Sequence, residues 1–272
     1  MVTGDRARLA LVLVLAMVAL GPIYVMVSNS LATQNDIFSD EVAFFFAPTF
    51  QNYEEVLGER QLRRYLTNSL IVGTVSTALT LLIGALAAYA LQRFKFPGRD
   101  TINTGTLLTR LVPPAVLAVP VFLIWNYGFE IAATRYGLIL IYVAINLPFV
   151  VWILQSFIEQ LPSGLEEAAR MDGAGPLQTF FLVVLPLIRP GLAAAAIFTF
   201  RIAWNEFILA FVLTGRTTRT LPVHVSTFLT NFNLEWGQIM AIGTLIALPP
   251  LVFTLMASRQ IITGLTAGAV KG

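Results

Sequence analysis

The 272 residues are 57% hydrophobic and only 12% charged, with a formal net charge of +2. Soluble domains carry about 25% charged residues, so polar groups cannot cover a globular surface of this size and lipid must cover part of it. The absence of cysteine excludes disulfides, the single histidine, His224, argues against a His/Cys metal site, and the small net charge argues against nucleic acid as a partner.

Six apolar stretches are each long enough to cross the ~30 Å hydrocarbon core of a bilayer. In chain order they are 9–27, 67–91, 106–126, 138–158, 190–213 and 239–262. Several contain proline: Pro113, Pro114 and Pro120 in the third, Pro148 in the fourth, and Pro249 and Pro250 in the sixth. Prolines are tolerated there where protein or water satisfies the freed backbone groups. The sequence therefore predicts an all-α membrane protein with a protein-lined path in one transmembrane domain, 1–272.

The first apolar run follows Arg6 and Arg8. It is longer than the roughly 7–15 residues of a signal-peptide core, which favours an uncleaved helix that starts inside the cell. Six spans then place both termini in the cytoplasm, and a slight excess of Lys and Arg in the cytoplasmic segments agrees. The long external segments 28–66 and 214–238 either face a soluble partner or are ordinary solvated loops.

The stretch 159–189, between the fourth and fifth spans, is the most informative. Ser163 and Glu166 have the spacing of a capping box, and Gly173 fits a helix stop. These signals predict a short helix over about 164–172. A second, interfacial helix is predicted to begin with Pro176 and to end at Pro186.

Small residues make one face of the predicted short helix thin. Ala168 and Ala169 would let it lie deep in a groove on another protein, with Glu167 and Arg170 at the groove rim. The alternative is a loop that only packs against its own helix bundle.

The run Glu167-Ala168-Ala169, then Gly173, then Leu185-Pro186 resembles the EAA loop of membrane subunits of binding-protein-dependent ABC importers. Asp172 fits the same pattern, and Val183 takes the place of the family's isoleucine. The stretch 204–207, Trp-Asn-Glu-Phe, and the ending 264–272 resemble the carbohydrate-uptake subfamily, of the maltose-transporter second-permease type.

The resemblance implies a type I importer fold with six transmembrane helices and a cytoplasmic coupling loop, in a bacterial inner membrane. The contact with a nucleotide-binding subunit would be made by Glu167, Ala168, Ala169, Asp172 and Gly173. The partners would be a second, different permease subunit, two ATPase subunits and an external solute-binding protein. The solute would be a sugar or sugar-like molecule: an oligosaccharide, a polyol or a glycerol phosphate.

The chain itself is not expected to be an enzyme. It lacks the phosphate-binding Gly-x-x-x-x-Gly-Lys-Ser/Thr pattern, and its spans hold no paired carboxylates for acid–base chemistry. We predict no catalytic residue, no metal site and no cofactor in this chain, with ATP and Mg bound by the partner subunits. A stand-alone secondary transporter or channel is the alternative function, although it would need its own coupling-ion site or filter.

Polar residues in the fifth span are candidates for the translocation path. Arg201 lies roughly 18 Å along the helix from Pro190, where an unpaired charge is costly. Asn205 falls on the same face, and Glu206 about 100° round from it. The alternative is that these groups make structural contacts with the partner permease. Arg110 is predicted to lie close enough to a cytoplasmic helix end to snorkel.

Overall fold

The computed structural model describes the backbone of residues 2–39, 47–228 and 235–269, and the side chains of residues 8–39, 47–226 and 235–256. Within these ranges the chain is a succession of helices without a strand. Their bounds are α1 Val2–Ser30, α2 Gln34–Ile37, α3 Gln51–Gly58, α4 Arg60–Arg93, α5 Arg99–Thr109, α6 Pro114–Leu123, α7 Arg135–Glu159, α8 Ser163–Met171, α9 Pro176–Thr179, α10 Leu185–Leu187, α11 Arg189–Asn205, α12 Ile208–Leu213, α13 Leu221–Phe228 and α14 Trp236–Ala269. Wider π-helical turns, Ile124–Gly128 and Phe180–Val184, follow α6 and α9.

Four of these helices are long and apolar enough to cross a membrane. They are α1 from Arg8, α4, α7 and α14 as far as Met256. Two bent pairs raise the number to six if each pair is one span: Arg99–Thr109 with Pro114–Gly128, bent by 101°, and Pro176–Leu187 with Arg189–Asn205, bent by 78°. The predicted spans 106–126 and 190–213 therefore fall on broken helices. Proline supplies the first break, because Pro113 and Pro114 cannot continue the backbone ladder of α5.

The chain divides into two compact units, Met1–Arg64 with His224–Pro249, and Tyr65–Val223 with Pro250–Gly272. In the first, the segment after α1 folds back onto the end of that helix. The Tyr53 hydroxyl lies 2.7 Å from Ser30 Oγ, and Asn52 Nδ2 donates to the carbonyls of Ser30 and Ala32 at 3.0 and 2.8 Å. Gln238 Nε2 also donates to Glu55 at 2.8 Å.

Both predicted external segments contain helices. The segment 28–66 contains α2 and α3, and 214–238 contains α13. Residues 40–46 and 229–234 of these segments lie outside the described part of the chain.

The second unit has an apolar core in two clusters along α7. The first surrounds the Arg135 half of α7 and includes Tyr142, Leu209 and Leu213. The second surrounds the Glu159 half and includes Leu154 and Phe180. This core fixes α4, α6 and α11 around α7, and so positions both sites described below.

Glycines allow the closest approaches within this unit. A Cβ at Gly84 would lie 2.6 Å from Val150 Cγ1, and one at Gly191 would lie 2.6 Å from Phe157 Cγ. There is room at these two positions for the hydrogen atom of glycine but not for a methyl group. The two glycines therefore allow α4 and α11 to pack directly against α7.

Candidate coupling site and membrane path

The residues predicted to contact an ATPase lie together on α8 and its C-terminal turn. The side chains of Glu167, Ala168 and Asp172 are exposed, as is Gly173, whereas Ala169 is half-buried. Leu165 and Met171 are also exposed, although both are apolar. The helix therefore presents small, apolar and acidic groups that its own chain does not cover.

The end of α8 has the geometry of a Schellman motif. The Gly173 N–H donates to the Arg170 carbonyl and the Ala174 N–H to the Ala169 carbonyl, both at 3.0 Å. Gly173 has a φ of +89°, in the left-handed region that costs other residues steric energy. The prediction that the helix stops at Gly173 is confirmed.

The predicted capping box is wrong. The N-cap of α8 is Pro162, without a side-chain hydrogen bond, so Ser163 is the first residue of the helix rather than its cap. The Glu166 side chain points toward the membrane helices rather than back to the start of α8, because a guanidinium lies within hydrogen-bond distance of it there.

That guanidinium belongs to Arg93, the last residue of α4. Its Nε donates to Glu166 Oε1 at 2.7 Å, and its Nη2 donates to the carbonyls of Ile158 and Leu161, each at 2.9 Å. The Tyr89 hydroxyl donates to Glu166 Oε2 at 3.1 Å. Side-chain exposure is 16% for Arg93 and 4% for Glu166, so the pair is largely shielded from water. These five residues, the Arg93 cluster, join α4, the end of α7 and α8.

The segment after α8 packs its apolar side beneath the same cluster. Phe180 is buried, and its ring centroid lies 5.2 Å from that of Tyr89. Pro176 begins this segment as predicted, but the predicted end at Pro186 is wrong, since α10 continues to Leu187. Proline is tolerated at Pro186 because the π-helical turn before it changes the pattern of backbone hydrogen bonds at this point.

Glu206 occupies a break between α11 and α12. Its Oε1 accepts from the Leu209 N–H at 2.8 Å, and its Oε2 accepts from the Ala210 N–H at 3.0 Å and from the Tyr142 hydroxyl at 2.8 Å. The carboxylate thus caps α12, as capping carboxylates do at helix starts. This geometry gives Glu206 a structural role within its own chain, which is distinct from the predicted alternative of a contact with the partner permease.

Arg201 lines a cavity of about 520 Å³ between α5, α6, α7 and α11. Its other polar lining includes Arg110, Thr109 and Asn146, and its aromatic lining is Phe149 and Phe198. Asn205 is exposed, but neither it nor Glu206 is among the lining residues. The structure thus separates the three path candidates: Arg201 at a cavity, Asn205 on an open face, and Glu206 at a helix cap.

The family of binding-protein-dependent transport system inner membrane components matches residues 80–265, which include both α8 and the cavity. The chain belongs to this family. It is 39% identical over 227 residues to the trehalose transport system permease protein SugB of Mycobacterium tuberculosis, covering 82% of each chain. It is 35% identical over 265 residues to the trehalose/maltose transport system permease protein MalG of Thermococcus litoralis, covering 96% of this chain and 94% of that protein.

A solved structure of a bacterial ABC transporter involved in the import of alginate superposes on this permease with a TM-score of 0.83. The sequences are 22% identical, and the match covers 94% of this chain and 96% of the other. The permease therefore has the type I importer fold.

Proposed function

We propose that the chain is the transmembrane permease subunit of an ATP-driven importer for a sugar or sugar-like solute, an oligosaccharide, a polyol or a glycerol phosphate. It would form half of the translocation path. The observation that carries the proposal is α8: an exposed helix with a thin, acidic outer face, fixed to the membrane helices by a shielded ion pair.

Coupling would work through the Arg93 cluster. Ala168 lets α8 lie deep in a cleft of the nucleotide-binding subunit, and Glu167 supplies charge at the rim of that cleft. When the ATPase subunits close, they would displace α8. Because Glu166 holds Arg93, and Arg93 holds the carbonyls at the end of α7, the displacement passes to α4 and α7 together.

The proposal includes a topology and a set of partners. Both termini and α8 face the cytoplasm, where two ATPase subunits bind ATP and Mg. A second, different permease chain completes the path, and a solute-binding protein docks outside, where the segment 214–238 is the candidate contact. The relatives that carry trehalose or maltose in their names support the sugar class.

Gly173→Pro tests the coupling role. Proline fixes φ near −65°, which is incompatible with the +89° at this position, and it removes the N–H that bonds Arg170. We expect the ATPase to be lost from the complex purified in mild detergent, while the chain stays in the membrane with the second permease. Gly98→Pro is a matched control, since Gly98 has a φ of +87° and equally open surroundings but is not a residue of α8 or of its C-terminal turn.

The readouts are the proteins that co-purify with the tagged chain and their ATP hydrolysis. An ATPase that stays bound to the Gly173→Pro variant, with normal uptake, would contradict the coupling role of α8. A chain that purifies alone or as a homo-oligomer, without any ATPase, would contradict the importer function and support a stand-alone secondary transporter or channel.

A further inference from the structure

Two arginines face the same cavity at similar depth in the helix bundle. Arg201 lies about twelve residues after the start of α11, roughly 18 Å along that helix. Arg110 lies at the end of α5, with its Cζ 5.1 Å from the ring centroid of Phe149. Phe149 is about ten residues from the Glu159 end of α7, roughly 15 Å.

Each distance is about half the thickness of a ~30 Å hydrocarbon core. The hydrogen bond of 2.8 Å from Gln155 Nε2 to Asn103 Oδ1 fixes the register of α5 against α7 and agrees with this depth. That Arg110 reaches a cytoplasmic helix end by snorkelling stays a prediction. Arg110 lies at the break between α5 and α6, and its side chain lines the cavity.

The cavity contains positive charge without a matching carboxylate. None of its lining residues is acidic. Among the residues with described side chains, neither Arg110 nor Arg201 has a carboxylate at ion-pair distance. Glu206, the acidic residue nearest to Arg201 in sequence, is held by Tyr142 and the α12 amides. The charges of Arg110 and Arg201 are therefore not neutralised by the described part of this chain, and they are available to an anion from outside it.

Aromatic rings partly stabilise the cations but do not neutralise them. The Arg110 Cζ lies 5.1 Å from the Phe149 ring centroid, and the Arg201 Cζ lies 5.9 Å from that of Phe198. The two rings contact each other edge to face, with centroids 5.8 Å apart. Such stacking orients a guanidinium and leaves its N–H groups free for an anion. It also provides apolar surface of the kind that small-molecule sites use.

We propose that this cavity, the arginine cavity, binds the anionic group of an acidic saccharide or sugar derivative: a carboxylate, a sulfonate or a phosphate. The proposal rests on the importer function and narrows its solute class. Guanidinium forks match the geometry of such anions, and the cavity's roughly 520 Å³ lies within the range of small-molecule sites. Broken helices near mid-depth are also where transporters build their solute sites.

The test uses the whole importer complex, reconstituted in proteoliposomes with its own binding protein. Three acidic probes are a disaccharide with one glucuronic acid, a sulfonated glycoside and glycerol 3-phosphate. Three neutral probes are maltose, trehalose and glycerol. We expect ATP-dependent, saturable uptake of at least one acidic probe and a preference for it over the neutral probes.

Arg201→Gln should weaken the apparent affinity for that acidic probe about tenfold to a hundredfold, the range for losing a charged hydrogen-bond partner. Arg201→Lys keeps the charge and should recover part of the loss. Arg135→Gln is a matched control, since this exposed arginine at the start of α7 is outside the cavity lining. Assembly, basal ATP hydrolysis and uptake of the acidic probe should be unchanged in Arg135→Gln.

Four results would overturn the proposal. They are uptake of neutral probes only, uptake of an acidic probe that Arg201→Gln leaves unchanged, uptake of none of the six probes by an assembled complex, and loss of the second permease from the Arg201→Gln complex. The last would mean that a carboxylate of the partner subunit fills the cavity. Failure of the importer function itself looks different, since no ATPase would then co-purify with the unaltered chain.

Discussion

Replacing Arg93 tests how firmly α8 is held to the membrane helices. Arg93→Met removes the ion pair with Glu166 and two hydrogen bonds to backbone carbonyls at the end of α7. Removing one partner of a buried ion pair costs about 3–5 kcal/mol. Because the Arg93 side chain is 16% exposed, water can replace part of what is lost. We therefore expect the docked state of α8 to lose about 3 kcal/mol, the low end of that range.

Glu166→Gln should cost less, about 1 kcal/mol, because the amide still accepts a hydrogen bond and Arg93 keeps its two carbonyls. The double variant should show a coupling energy of at least ~1 kcal/mol between the two side chains. This order, arginine more costly than glutamate, follows from the three acceptor groups that Arg93 binds.

Amide hydrogen exchange of Ser163–Met171 measures these energies directly. A loss of ~3 kcal/mol corresponds to roughly a hundredfold faster exchange in Arg93→Met. In proteoliposomes, the same variant should hydrolyse ATP with little uptake of solute. Glu159→Gln is the control, since Glu159 ends α7 with an exposed side chain. Exchange in Arg93→Met within threefold of the unaltered chain would refute the reasoning.

Two further predictions concern stability. Glu206→Ala leaves the first amides of α12 and a buried tyrosine hydroxyl without their acceptor, so it should lower stability by about 2–4 kcal/mol, measured by thermal unfolding in detergent; an unchanged midpoint would contradict the capping role. Gly84→Ala should cost about 1–3 kcal/mol, because its Cβ would meet Val150 Cγ1 at 2.6 Å. Gly105→Ala, with nothing within 4 Å, should be neutral or slightly stabilising, and equal effects of the two would exclude the contact as the cause.

Most of the fold could be predicted from the lengths of the apolar runs and the positions of the prolines. Lipid and the backbone impose the length of a span on any sequence, so the six stretches could be read without a structure. The bends of 101° and 78° could not, because proline shows where a helix can break but not the direction the chain takes afterwards. That direction depends on packing against α7, which is a property of several helices together.

Only those features of the coupling site that depend on neighbouring residues in the sequence could be predicted. Gly173 is a local signal, since a left-handed turn at a helix end depends on its own backbone. Glu166 was misassigned because its spacing from Ser163 fits a capping box, whereas its partner Arg93 is far away in the sequence. No spacing rule connects two such residues. The available signal was the combination of Glu166 in a helix of small residues and Arg93 at the end of an earlier span.

Glu206 shows the same limit in the fifth span. As a carboxylate among apolar residues it indicated a functional site. In the structure its carboxylate accepts hydrogen bonds from three donors. Two of them are backbone amides that the helix break leaves without an acceptor in the preceding turn. A sequence cannot distinguish a carboxylate that caps a broken helix from one that faces a path, because both depend on where the helix stops.

The Arg93 cluster also imposes an order on biosynthesis. Arg93 leaves the ribosome well before the two carbonyls and the carboxylate that it binds, so during synthesis only water or lipid headgroups can solvate its charge. A chain that stops short of Ile158 has α4 complete but none of these three partners. The cluster can therefore form only after α7 has been inserted and α8 has been made, and its formation can join α4, α7 and α8 before α11 and α14 are synthesised.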